Sequence, residues 1–189
     1  MEIEFLESVE EALGQDWQPI SSAALAGWLI FYVLFLIYAA THTNGFLFID
    51  SVNLIVHESG HLLFGWFGRT VGLWGGTLME LLVPFALACY FILRRQPAAC
   101  AFACFFFFEN FLYISVYMAD ARAQSLPLVT VGDPEQGGHD WFNIFSSLGL
   151  LQHDTAIARV VNAAGWIGMV GTIAWLFLRW NSSRARAVE

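Results

Sequence analysis

Residues 53 to 61 read Asn-Leu-Ile-Val-His-Glu-Ser-Gly-His, which sets His57, Glu58 and His61 in the pattern H-E-x-x-H. On a helix, positions i and i+4 lie one turn apart on one face, so both imidazoles point the same way and can hold one zinc ion. Glu58 is rotated by about 100° from His57, beside the metal rather than on it, where it can take a proton from an attacking water. Asn53 lies one turn before His57 on the same face, placed to support the ligands or to polarise a substrate carbonyl. At this composition chance supplies the pattern roughly 0.007 times per chain. A polar patch that merely joins helices would not require this spacing.

A catalytic zinc takes three protein ligands and keeps one position open. The candidates for the third are, in order, Asp120, which closes a long apolar stretch; His139, which leads a short helix after a loop; and Glu109, in mid-stretch. Asp140 is expected to orient His139 or to cap its helix. The competing structural roles are an interfacial cap paired with Arg122 for Asp120, and an ordinary loop histidine for His139. Glu80 is expected to hydrogen-bond to a neighbouring helix, and Asn110 to join helices or to hold substrate backbone.

The elements that must carry these residues are apolar helices. Of 189 residues 58 % are hydrophobic and only 13 % charged, and mean hydropathy is +0.60. A soluble domain carries about 25 % charged residues and could not bury so much apolar surface. Disorder is excluded on the same grounds, and a net charge of −8 argues against nucleic-acid binding. The fold class expected is all-α: a polytopic helical membrane protein with about five transmembrane helices and a short interfacial or re-entrant helix. The spans are expected near residues 23–40, 46–67, 73–93, 98–119 and 160–178, because a crossing needs about 20 mostly apolar residues. Residues 1–20 form an acidic lead-in, 21–180 a single membrane-embedded domain with a polar loop over 120–140 and a short helix over 139–152, and 181–189 a tail. Cys89, Cys100 and Cys104 fall in apolar stretches without CxxC spacing and read as small buried hydrophobes. The Phe105–Phe108 run reads as lipid-facing bulk, and Gly165, Gly168 and Gly171 as close-packing faces.

All eight basic residues are Arg. Arg94-Arg95 and the C-terminal Arg179, Arg184 and Arg186 mark the cytoplasmic side, with the acidic N-terminus and the 120–140 loop outside. The acidic start is the reverse of a secretory signal peptide, so the N-terminus is expected to be retained.

An H-E-x-x-H inside an apolar helix, here His57-Glu58-Ser59-Gly60-His61, resembles the site-2 protease (M50) family of intramembrane zinc metallopeptidases. The resemblance implies that the two histidines bind Zn2+, that Glu58 is the general base, and that an Asp on a later helix, by order and chemistry Asp120, completes the ligand set. Gly75-Gly76 is similar to the glycine-containing segment beside that family's substrate cleft. The Leu-Asp-Gly motif and the PDZ-like insertion are missing; Asp120-Ala-Arg122 and His139-Asp-Trp141 stand instead, similar to segments of small bacterial members. The function expected is cleavage of a membrane-embedded or membrane-adjacent polypeptide, by a multi-pass protein of a bacterial inner membrane whose partners are the bilayer and a membrane protein or peptide. The alternatives are a zinc hydrolase of a lipid amide or ester, and a metal-binding membrane protein without catalysis.

Overall fold

The computed structural model describes residues 2–42, 47–127 and 138–186, and every regular element among them is helical. Helix α1 spans Glu2–Gly14 and α2 Ser22–Thr41, the latter started by Ser21, whose side chain accepts the Ala24 N–H at 3.1 Å. Helix α3 covers Asp50–Phe64, α4 Arg69–Leu93 and α5 Pro97–Ala119, where Pro97 occupies a first-turn position that needs no N–H partner. Helix α6 is Asp140–Ser147 and α7 Asp154–Arg186.

Among the described residues four segments are long and apolar enough to cross a membrane: α2, α4, α5 and residues Leu151–Ala185, which contain most of α7. The crossing expected over 46–67 is not among them. Helix α3 has 15 residues, about 22 Å of rise against the 30 Å of a hydrocarbon core. Its residues pass an apolarity count, but Asp50 opens the helix and a turn at Gly65–Phe67 closes it. Gly68, at φ +103°, then reverses the chain into α4. The expected 139–152 helix is likewise shorter, ending before Gly149 at φ +68°. The loop expected over 120–140 lies outside the described residues at 128–137.

Helices α3 and α4 form a close antiparallel pair. A Cβ on Gly60 would collide with the Gly75 carbonyl, and one on Gly75 would fall 2.6 Å from the Gly60 oxygen. Helix α5 runs through the middle, with α3 and α4 on one side and α7 on the other. Against α7 it is the Phe108 ring that fills the space left by Gly168, while the Gly60–Gly75 contact lets His57 reach α4. Two sequence expectations change here. Phe105 is buried against Tyr32 with ring centres 4.6 Å apart, and Phe108 is packed on α7, so neither is free lipid-facing bulk; Gly171 opens onto empty space and is no packing face. All three cysteines are unpaired.

The N-terminal segment lies at the Arg94-Arg95 end. The Gln18 N–H donates to the Arg95 carbonyl at 2.9 Å, Arg95 Nε donates to the Ala12 carbonyl at 2.9 Å, and both Arg95 and Arg179 sit over the Trp17 ring. The expectation that the acidic start and the Arg-rich turn occupy opposite ends is therefore corrected. With α3 too short to count, four full-length helices bring the chain back to the end where it began.

Candidate metal centre

Helix α3 turns Asp50, Asn53, His57 and Gly60 inward. His57 enters a slot in α4 that Gly76 keeps open, since a Cβ there would strike the imidazole. Its Nδ1 donates to Glu80 Oε1 at 2.9 Å, and one turn on, His61 Nδ1 donates to the Gly72 carbonyl at 2.8 Å. A carbonyl can only accept, so His61 carries a proton on Nδ1, and the Glu80 carboxylate accepts the matching His57 hydrogen; as neutral imidazoles both rings turn Nε2 lone pairs inward, and as an imidazolium either ring donates from Nε2 to Asp140. The two Nε2 atoms are 3.0 Å apart, and each lies 3.0 Å from Asp140 Oδ2.

Two imidazole nitrogens and one carboxylate oxygen thus converge on one point, an arrangement that either a proton donated from one Nε2 to Asp140 or a bound cation satisfies. Tetrahedral zinc with bonds of about 2.0 Å implies ligand edges of about 3.3 Å, close to the separations found. His57, His61 and Asp140 are also the one His/Cys/Asp/Glu group among the described residues whose donor atoms close to this distance. The donor set and its spacing fit zinc.

Glu58 lines an open cleft whose wall includes His57, Tyr113, Tyr117, Leu54, Leu126 and Pro127. It is half-buried, beside the cluster and outside it, as the helical spacing predicts.

The other expected site residues sit elsewhere. Asn53 is 1 % exposed, and its amide donates to Asp50 Oδ1 at 3.3 Å and to Glu109 Oε2 at 3.1 Å, so it points at two carboxylates rather than at a substrate. Glu109 is thereby held at Asn53, one turn of α3 before His57, and is not among the atoms that meet at the histidine pair. The Asp120 carboxylate accepts from the Ser125 N–H and hydroxyl and from the Leu126 N–H at 2.6–3.0 Å. Burial pushes its pKa up, but these donors outweigh burial and hold the carboxyl below its usual range. Arg122 pairs with Asp154, through Nε at 2.8 Å and the terminal nitrogen at 2.7 Å, and not with Asp120. His139 is the N-cap of α6, a role expected of Asp140: its Nδ1 accepts the Phe142 N–H at 3.3 Å and its Nε2 faces Asp120 Oδ2 at 3.4 Å. Burial holds this imidazole below its usual pKa. Neither Asp120 nor His139 is among the atoms that converge with His57 and His61; Asp140 takes that place.

Sequence reasoning set Asp140 aside as an orienting or capping group. No local signal raised it: Asp is the stronger capping type, and only the fold shows that His139 takes the cap and leaves the Asp140 carboxylate uncommitted to it. Glu80 was legible as an interhelical hydrogen-bonder, but its partner was not. Tyr117 gave no signal beyond its helix face; its hydroxyl accepts the Asp140 N–H at 3.1 Å.

Comparison of the chain with protein-family models, with curated proteins and with solved structures returned no match.

Proposed function

We propose that this chain is a multi-pass membrane protein and a zinc-dependent hydrolase, in which His57, His61 and Asp140 hold the metal and Glu58 is the general base. The observation that carries the reading is the convergence of two imidazole nitrogens and a carboxylate oxygen at mutual separations of 3.0 Å, with the Glu58 carboxylate next to them in a cleft. Zinc, when bound, supplies a Lewis acid that polarises the substrate carbonyl and acidifies water.

The chain's own residues do the rest. Glu80 and the Gly72 carbonyl hold the two Nδ1 atoms, so each imidazole turns Nε2 toward the metal position. Glu58 removes a proton from the attacking water and delivers it to the leaving nitrogen as the C–N bond breaks. Leu54, Leu126 and Pro127 give the cleft an apolar wall suited to a lipid-soluble chain. Within the hydrolases a metallopeptidase acting on membrane-embedded or membrane-adjacent polypeptide is the leading reading, in keeping with the resemblance to site-2 proteases. The apolar wall suits an acyl chain as well, which makes hydrolysis of a lipid amide or ester the second reading. A purely metal-binding role would have no use for Glu58 in the cleft.

The test is Glu58→Gln in full-length protein reconstituted in vesicles, assayed on quenched-fluorescent transmembrane peptides and on fluorogenic lipid amides. Zinc content should stay at wild-type level while turnover falls by about 10²–10⁴-fold. Wild-type turnover in Glu58→Gln contradicts the mechanism, and the substrate that is turned over decides between the two hydrolase readings.

A further inference from the structure

Two of the three proposed ligands sit on one helix, but the third arrives from the far side of a long loop, on an eight-residue helix. Trp141, Ile144 and Phe145 bury α6 against α4 and α5, with Trp141 edge-on to Trp74 at 5.6 Å. That burial, which includes Trp141 in the first turn, anchors the helix; it does not touch the Asp140 carboxylate, whose χ angles are set by other contacts. A ligand atom must be held within a few tenths of an ångström. Something else has to set it.

The groups that do so surround Asp140 and belong to other elements. Tyr117, on α5, accepts the Asp140 N–H at 3.1 Å, and its hydroxyl lies 3.5 Å from Asp140 Oδ2. The hydroxyl is therefore placed against both the backbone and the carboxylate of the same residue. The Tyr117 ring packs on His139 with centres 4.2 Å apart and 33° between planes. His139 is buried; with Nδ1 accepting from Phe142, its neutral ring carries hydrogen on Nε2, which lies 3.4 Å from Asp120 Oδ2 without making a hydrogen bond to it. Asp120 in turn holds Ser125 and Leu126, and Leu126 is part of the cleft wall.

Resting on the ligand reading above, we propose that Tyr117, His139 and Asp120 are positioning residues for the metal: together they fix the Asp140 carboxylate, and hence zinc affinity, without touching the ion. The two residues that sequence order nominated as ligands thereby act one step removed. The same chain of contacts ties the cleft wall at Leu126 to the ligand at Asp140, so disturbing one end disturbs the other.

The experiment measures zinc dissociation constants by chelator competition, and the visible spectrum of the Co2+-substituted protein, on the full chain in detergent. Variants are Tyr117→Phe, which keeps the ring stack and removes one oxygen, and His139→Phe, which keeps the stack and removes both ring nitrogens. His57→Ala is the ligand control. Zinc binding should weaken by about 10–100-fold in both, with a changed Co2+ spectrum and unchanged helix content, while His57→Ala loses binding outright. If either variant does not purify as a monodisperse protein, the near-isosteric Asp120→Asn decides in its place, with about tenfold weaker binding expected. Wild-type affinity and spectrum in these variants, with binding still lost in His57→Ala, overturns the positioning role alone. Undiminished zinc in His57→Ala overturns the ligand reading, and this proposal with it.

Discussion

Helix α3 carries two buried polar clusters on one face, and they are built from different groups. At its start, Asp50 and Glu109 lie on either side of Asn53, whose amide donates to both carboxylates. At its end, His57 and His61 bring two imidazole nitrogens onto the Asp140 carboxylate. The first cluster joins α3 to α5 through the Asn53 amide, as polar side chains in an apolar setting generally do. The second consists of metal-ligating atoms at the spacing a zinc ion requires. Ionisable side chains within apolar helices invite a functional reading wholesale. Two imidazoles on one carboxylate, present only in the second cluster, are what single it out as the candidate site.

The largest effect that follows concerns that contrast. Asn53→Leu, which strips the donor from the first cluster, should cost about 1–3 kcal/mol of stability and leave zinc stoichiometry intact, as melting and metal analysis would register. Loss of zinc in Asn53→Leu at full helix content would merge the two clusters into one site. A smaller effect is expected at Glu80, which orients His57. Glu80→Gln keeps an acceptor near Nδ1 but removes the charge, so zinc affinity should fall by about tenfold in chelator competition. Gly76→Ala tests the slot itself: the added methyl meets the His57 ring, and both zinc affinity and hydrolysis should drop while the α3–α4 pair still forms.

The smallest effect lies at the foot of the loop. The Asp120 carboxyl has a lower pKa folded than unfolded, so its contribution to stability is present above the unfolded value of about 4 and is lost as pH falls through the folded one. Thermal melts between pH 5 and pH 3 should show a shallower acid limb for Asp120→Asn than for wild type. An identical limb would mean that the Ser125 and Leu126 contacts do not hold in solution.

How much of this was legible in advance differs between helix and loop. The positions of α2, α4, α5 and α7 follow from apolar runs punctuated by Arg94-Arg95 and Pro97, and the relation of His57 to His61 follows from helical periodicity alone. The short α3 was misread because a run of apolar residues says nothing about where Asp50 opens a helix and Gly68 reverses it. The N-terminal end followed that miscount, because one helix fewer changes which end the termini share. The third ligand depends on where a loop returns in space. Asp120, the better match in chain order, spends its carboxylate on its own loop, and His139 spends its ring as a cap. Nothing local distinguishes Asp140 from either neighbour.

The most direct test of the central claim is zinc per chain, measured on full-length protein purified in detergent under metal-replete conditions, for wild type, His57→Ala and Asp140→Ala. The account predicts close to one zinc in wild type and none retained in either variant. Zinc missing from wild type, or kept in full by Asp140→Ala, would contradict it.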